Sequence, residues 1–386
     1  MSESVFSTYL HKLSAVTRSK DWRLSFVPFI FGCLYLWMHV FSIQFSGEAV
    51  TLLVLSLLTT FGFASLGYFI NEFFDKAADA RAGKLNKLAF LPWHLQFGLF
   101  AVTLVFTFSP WLWLPADAVS KILIKAEILL FLLYSLPFPR LKNVYWISSI
   151  IDSLYAYVVP LLLAYHTYSL FSNQTIGWAI WLLAAAVFFI GFRNITIHHI
   201  DDVFNDKRAG ICTLPQKLGV SNTNNLILLL MLLEMVLFAV LLLVLGIQKP
   251  LILFILVGYV FFVLIGITAL FDEYKQSTFA IHPLRHFTDK FYQVGFPLFT
   301  MLLLVFTNPF WLLILPLHFL FLVPDMVKNP LKSYSRSYLH RAWRNGVIPV
   351  ISASVNYSIY ILFRLVGINL IKENTSAKEY IKRRFS

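Results

Sequence analysis

Two short segments of this 386-residue chain carry the same acidic string. Shifted by 127 residues, Asp75, Asp79, Arg81, Ala82 and Gly83 fall on Asp202, Asp206, Arg208, Ala209 and Gly210, so DxxxDxRAG occurs twice. Asp residues at i and i+4 share one helix face about 5–6 Å apart, where they repel by a few tenths of a kcal/mol unless a cation lies between them. As solvated acids at helix ends they would be balanced by Lys76, Arg81, Lys207 and Arg208. Two copies in register point instead to a shared task. Hard oxygen donors without His or Cys at suitable spacing favour Mg2+ over zinc, and Mg2+ takes one or two carboxylates while leaving room for water and phosphate oxygens. Two such clusters facing one cavity suit a diphosphate, and Arg140 and Lys142, which follow Tyr134, add cations for the same face. An anionic ligand is the expected guest.

The elements that must position these groups are membrane helices. Apolar residues make up 59% of the chain, aromatic ones 17% and charged ones only 13%, about half the charged share of a water-soluble globule. Long uncharged runs recur, which excludes disorder, a disulfide-stapled secreted module and a soluble enzyme on one anchor. The formal charge of +12 sits between the apolar runs, where it sets topology and meets anionic headgroups. It therefore argues for membrane lipids and against nucleic acid as a partner. Cys33, in the first apolar run, and Cys212, in a polar loop, do not form a redox or metal pair.

Runs of about 20 residues, the length that crosses the hydrocarbon, begin near Leu24, Val50, Leu91, Ser120, Tyr145, Ile176, Asn225 and Leu251. A ninth stretch, Val294 to Val323, is interrupted at Asn308 and Pro309 and reads as one bent helix or two short ones. With a cytoplasmic N-terminus, the arm and the loops after spans two, four, six and eight hold sixteen Lys and Arg, against Lys121, Lys125 and Lys249 on the opposite face. That bias puts the acidic motifs in the cytoplasm. One motif follows span two and the other span six, so the bundle reads as two four-helix repeats. The expected organisation is a cytoplasmic amphipathic arm over 1–23, a transmembrane domain over 24–323 and a basic extension over 324–386, either a surface helix or an extra span.

The motifs and their surroundings resemble the UbiA superfamily of intramembrane prenyltransferases. Asn71, Asp75 and Asp79 in NEFFDKAAD match its first acidic motif, and Asp202 and Asp206 in HHIDDVFNDKRAGICTLPQKLG match its second. The loop YSLPFPRLK, with Tyr134, Arg140 and Lys142, is similar to a further cytoplasmic element of the family. The resemblance covers roughly residues 20 to 310. One departure is that the first Asp of the second motif falls on His199, beside His198, and these two read as metal ligands, an acceptor base or polar helix-end residues.

The resemblance implies an all-α polytopic bundle of about nine transmembrane helices around a central cavity. It implies Mg2+ on Asn71, Asp75, Asp79, Asp202 and Asp206, holding an isoprenyl diphosphate donor whose charge Arg81, Arg140, Lys142, Lys207 and Arg208 help to neutralise. Loss of the diphosphate leaves an allylic carbocation, captured by a lipid-soluble acceptor or, in a terpene cyclase on the same scaffold, by a double bond of its own chain. Arg193 and Asn194, near the cytoplasmic end of span six, are candidates for support of the diphosphate or metal, and Lys290 with Asp289 is a further one. Asp152 and Glu234 lie inside spans five and seven, are costly in lipid, and should face the interior; Asp152 is a candidate for the acceptor, with Tyr134, Asn194, His198 and His199. A transporter would place its acids near the bilayer midplane, whereas these motifs adjoin basic loops.

Overall fold

A computed structural model describes residues 27–83, 85–274 and 282–318, all helical or loop with no strand among them. The chain divides into two compact units, 1–312 and 313–386. In the first, α1 (Val27–Val40), α2 (Gly47–Ala82), α3 (Trp93–Phe108), α4 (Ala118–Ser135) and α5 (Tyr145–Ser153) lead through a π-helical turn, Leu154–Val158, into α6 (Val159–Ser172). Next come α7 (Ala179–Asp201), the short α8 (Val203–Ala209) and α9 (Leu214–Leu218), then α10 (Val220–Gln248) and α11 (Leu253–Tyr274). A second π turn, Phe291–Gly295, joins α12 (His282–Lys290) to α13 (Phe296–Thr307). Of the second unit the described residues are 313–318, which hold α14 (Leu315–Leu317).

Six helical stretches are long and apolar enough to cross a membrane: Gly47–Arg81, Trp93–Leu112, Tyr145–Ser172, Ala179–Asp201, Val220–Gln248 and Phe287–Thr307. Val27–Val40 and Pro250–Leu264 are shorter apolar helices. The helix starts fall within about five residues of those read from the apolar runs. The interrupted ninth stretch ends its helix at Thr307, and a 3-10 turn, Pro309–Ile314, follows, as Asn308 and Pro309 require. The arm over 1–23 and the extension over 324–386 lie outside the described residues.

Local chemistry accounts for the helix limits. Ser46 caps α2 by accepting from the Ala49 amide at 3.1 Å, and Asp117 caps α4 in a reciprocal capping box with Ser120. Both RAG strings serve as stops, because Gly83 (φ 70°) and Gly210 (φ 73°) end α2 and α8 in the left-handed conformation that glycine adopts without strain. The two motif copies nevertheless differ. The first lies on the continuous α2, but the second is divided, with Asp202 capping α7 and Asp206 inside the separate α8, so its i, i+4 pair is not on one unbroken helix.

Packing is closest where side chains are smallest. A Cβ on Gly62 would come within 2.5 Å of the Thr107 backbone, so α2 and α3 touch main chain to main chain there. The helices α7 with α10, α1 with α13, and α11 with α12 also make broad contacts. Replacing Gly62 by Ala forces α2 from α3 and is expected to cost about 1–3 kcal/mol, read as a lower thermal midpoint of the detergent-solubilised protein; an unchanged midpoint would show that Gly62 does not set this spacing.

Candidate active site

A cavity of about 530 Å³ runs down the inside of the first unit, walled by α1, α2, α4, α5, α6, α7, α12 and both π turns. Along α2 its lining steps by one helical turn from Asn71 through Gly67 and Phe63 to Thr59, because residues four apart share a face. Phe63, Phe131 and Leu163 belong to one apolar cluster with Leu66 and Ile70, which makes the middle of the cavity greasy. Its upper rim is polar: Asn71, Tyr134, Asp152, Asn194, His198 and Arg285.

Above this rim stand the acidic motifs. Lys142 donates to Asp75 Oδ1 and, at 3.4 Å, to Asn71 Oδ1, while Arg140 Nη2 reaches the same Asp75 oxygen at 3.0 Å. Arg140 is held in the left-handed region (φ 46°), an unusual setting for a residue with a side chain, and this turn aims the guanidinium at α2. Burial pulls the Lys142 ammonium below the usual lysine range, against the opposing field of Asp75. Asp79 Oδ2 accepts from Asn86 at 2.8 Å, and the same Asn86 amide donates to the Glu72 carbonyl, fastening the following loop to α2. Helix α8 packs on α2, and Tyr134 lies within electrostatic reach of Asp75, Asp152 and Asp206, so the two motifs share one locus. Asp202 accepts from Asn205 at 3.2 Å and lies 3.6 Å from His198.

The remaining residues singled out from the sequence have distinct settings. Arg81, Lys207 and Arg208 are exposed near their motifs. Asn194 lines the cavity and donates to the Tyr157 hydroxyl at 3.0 Å. His198 lines the cavity, whereas His199 is buried outside its lining with Nδ1 unpartnered. Arg193 is not presented to the cavity: it is fully buried, with Nε on Glu234 at 2.9 Å and Nη2 on Asp289 at 2.8 Å. Asp289 also accepts from Arg285 at 3.3 Å, so Arg193 ties α7, α10 and α12 together and sets the Arg285 side chain at the rim.

Two features of the site escaped the reading of the chain. One is a second internal match, DSLYAYVVP at 152–160 with DKFYQVGFP at 289–297, offset by 137 residues. Each copy contains a π turn, and in each a proline, Pro160 or Pro297, follows it and supplies no N–H to the carbonyls behind it. Asp152, Tyr155, Asp289 and Tyr292 all line the cavity. The copies diverge in partners: Asp289 is paired with arginines, whereas Asp152 accepts from Tyr155 Oη at 2.5 Å and among the described residues has no basic neighbour. The other is Glu127, an acid in the middle of α4 that the apolar-run reading passed over.

Among the described residues no three His, Cys, Asp or Glu side chains make a ready cage for a metal. The donors present, carboxylates and the Asn71 amide beside two cations, fit Mg2+, which fills its other places with water and phosphate oxygen.

The sequence profile of the UbiA prenyltransferase family matches residues 25–286. No curated protein sequence matches the chain. Among solved structures, a UbiA homologue from Archaeoglobus fulgidus bound to GPP and Mg2+ superposes with a TM-score of 0.51 at 17% identity, over 77% of this chain and 98% of that one. An apo UbiA homologue from Aeropyrum pernix K1 gives 0.51 at 14% identity, over 72% and 97%. A structure of digeranylgeranylglyceryl phosphate synthase gives 0.50 at 15% identity, over 78% and 99%. These likenesses are of fold.

Arg193→Met leaves Glu234 without its buried partner and is expected to destabilise by about 3–5 kcal/mol, with part recovered in the double variant Arg193→Met, Glu234→Leu. Denaturation of the solubilised protein checks this. A single variant as stable as the parent would mean that the network does not hold the three helices.

Proposed function

The chain belongs to the UbiA prenyltransferase family and is an integral, multi-pass membrane protein, and from this premise we propose that it transfers an isoprenyl group from an isoprenyl diphosphate to a lipid-soluble acceptor inside the membrane. The observation that carries the reading is that two acidic segments, with Arg140 and Lys142 at the first, adjoin the polar rim of one greasy cavity. The A. fulgidus homologue with GPP and Mg2+ supports the choice of donor and ion.

Asn71, Asp75, Asp79, Asp202 and Asp206 would hold Mg2+, which when bound neutralises diphosphate oxygens and improves the leaving group. Arg140 and Lys142 bind the diphosphate directly, and exposed Arg81, Lys207 and Arg208 add charge around it. The isoprenyl chain lies in the cavity between Phe63, Phe131 and Leu163. As the allylic C–O bond breaks, its electron pair leaves with the diphosphate, and the faces of Tyr134, Tyr155 and Tyr157 attend the carbocation. The acceptor closes the new bond to this carbon and loses a proton, for which Asp152, hydrogen-bonded to Tyr155 but not neutralised by a cation, is the base at hand. Asn194 and His198 orient the acceptor end of the rim, His199 stands behind them outside the lining, and Arg193 acts as a positioning residue through Asp289.

We read α1, α2, α3, α4, the α5–α6 pair, α7, α10, α11 and the α12–α13 pair as nine crossings, two related four-helix halves with a closing ninth. The sixteen-to-three bias of basic residues assigns the rim to the cytoplasmic side. The arm over 1–23, the membrane domain over 24–323 and the extension over 324–386 are the corresponding divisions.

Radiolabelled geranyl diphosphate with membranes of the native host as acceptor source tests the proposal. Asp75→Ala and chelation of divalent metal are each expected to lower prenyl transfer by about 10²-fold or more in folded protein, and full activity in either case would exclude the mechanism. A cyclic product formed without any acceptor would identify the cyclase variant instead. In the same assay Asp152→Asn should lower kcat by about 10²–10⁴-fold while the donor KM is kept; a changed KM with normal kcat would remove Asp152 from the role of base.

A further inference from the structure

The deep part of the cavity is polar where a slot for hydrocarbon alone calls for none. Glu127 is only 1% exposed and lines the wall, and its Oε2 is buried with no hydrogen-bond partner. The Trp111 indole N–H and the Thr59 hydroxyl line the same cavity and are likewise buried and unpartnered. Other hydroxyls beside them are satisfied within their own helices: Ser56 donates to the Leu52 carbonyl, Thr60 to Ser56 and Thr167 to Leu163, all at 2.8–2.9 Å.

The three open groups are brought within about one helical turn of each other in depth by packing. The ring of Phe131 seats against Gly67, which fixes the register of α4 on α2. One turn deeper stand Glu127 and Phe63, and Thr59 is one turn beyond Phe63. The Gly62–Thr107 contact carries the 3-10 turn with Trp111 to the same region, where Trp111 packs on the cluster of Phe63 and Phe131. Thr59 is twelve residues from Asn71 along α2, about 18 Å at the helical rise.

We propose that Glu127, Trp111 and Thr59 form a second binding site, for the hydroxyl group of a neutral, lipid-soluble alcohol or phenol. An indole N–H can only donate, a carboxyl keeps an accepting oxygen whether or not it is protonated, and a threonine hydroxyl does both. A hydroxyl is the smallest group that accepts from Trp111 while donating to Glu127. A carbonyl, which cannot donate, leaves the accepting oxygen of the carboxyl unmet, an ammonium leaves the indole unmet, and a hydrocarbon tail leaves all three. Naming this occupant as the acceptor rests on the transferase reading, in which the diphosphate lies at the opposite end. The hydroxyl is then an anchor, well removed from the reacting carbon.

The probes are 4-hexylphenol and its methyl ether, 4-hexylanisole, titrated into the full-length solubilised protein. The parent protein is expected to bind the phenol roughly tenfold more tightly than the ether. Glu127→Leu should abolish the difference, Glu127→Gln should keep part of it, and Lys142→Met, at the far end, should leave it intact. Should Glu127→Leu not fold, Thr59→Val and Trp111→Phe are expected to reduce the preference instead. Equal binding of both probes by the parent means that the site holds only water, and a preference lost in Lys142→Met but kept in Glu127→Leu places the hydroxyl at the rim; either overturns the proposal. The inactive Asp75→Ala protein should retain the phenol preference, so failure of the transferase reading registers separately. With geranyl S-thiolodiphosphate bound the preference should persist; displacement would overturn the assignment to the acceptor.

Discussion

A carboxyl carried into a helical bundle at membrane depth must find a partner, and the pairings of a few such groups determine how this protein is arranged. Glu234 and Asp289 are tied by one arginine, Arg193, and that single guanidinium spans three helices. Asp75 is held by Lys142 and Arg140, which fixes the loop after α4 to the end of α2 and so frames the rim of the cavity. Ion pairs in low dielectric are unforgiving of geometry, since one missing partner leaves a buried charge uncompensated. The apolar helices supply adhesion, but these pairs supply register.

Asp152 and Glu127 stand apart from that pattern. Both face the same chamber as Asp289, yet neither has a basic neighbour among the described residues. The proposed reaction generates a cation and must later dispose of a proton, and so has use for such groups. The contrast between the two DxxYxxxxP segments makes the point: one Asp is neutralised by arginines and organises structure, while its counterpart keeps only a tyrosine hydroxyl.

Much of this was legible in the chain. Apolar run length placed the helices because hydrocarbon thickness leaves little freedom, and the RAG strings marked two stops because only glycine turns left-handed without strain. The coincidence of both acidic motifs at one locus also followed from their equal position after spans two and six. The division of α7 from α8 at Asp202 was not legible, since identical spacing in the first copy lies on an unbroken helix. Arg193 looked like a ligand because nothing local reveals that Glu234 and Asp289, distant in sequence, enclose it. The π turns could have been suspected from the repeated proline, and Glu127 from being an acid within a span.

The length of α2 has a last consequence. Its 36 residues make a rod of about 54 Å, while the bilayer's hydrocarbon is about 30 Å thick. A helix of that length has enough reach for its acidic head to stand clear of the oily layer while most of the rest is embedded. In the proposed reaction the two products would then part company by phase, the spent diphosphate to the water at that head and the lengthened oil to the lipid, so neither has to cross the other's solvent to leave.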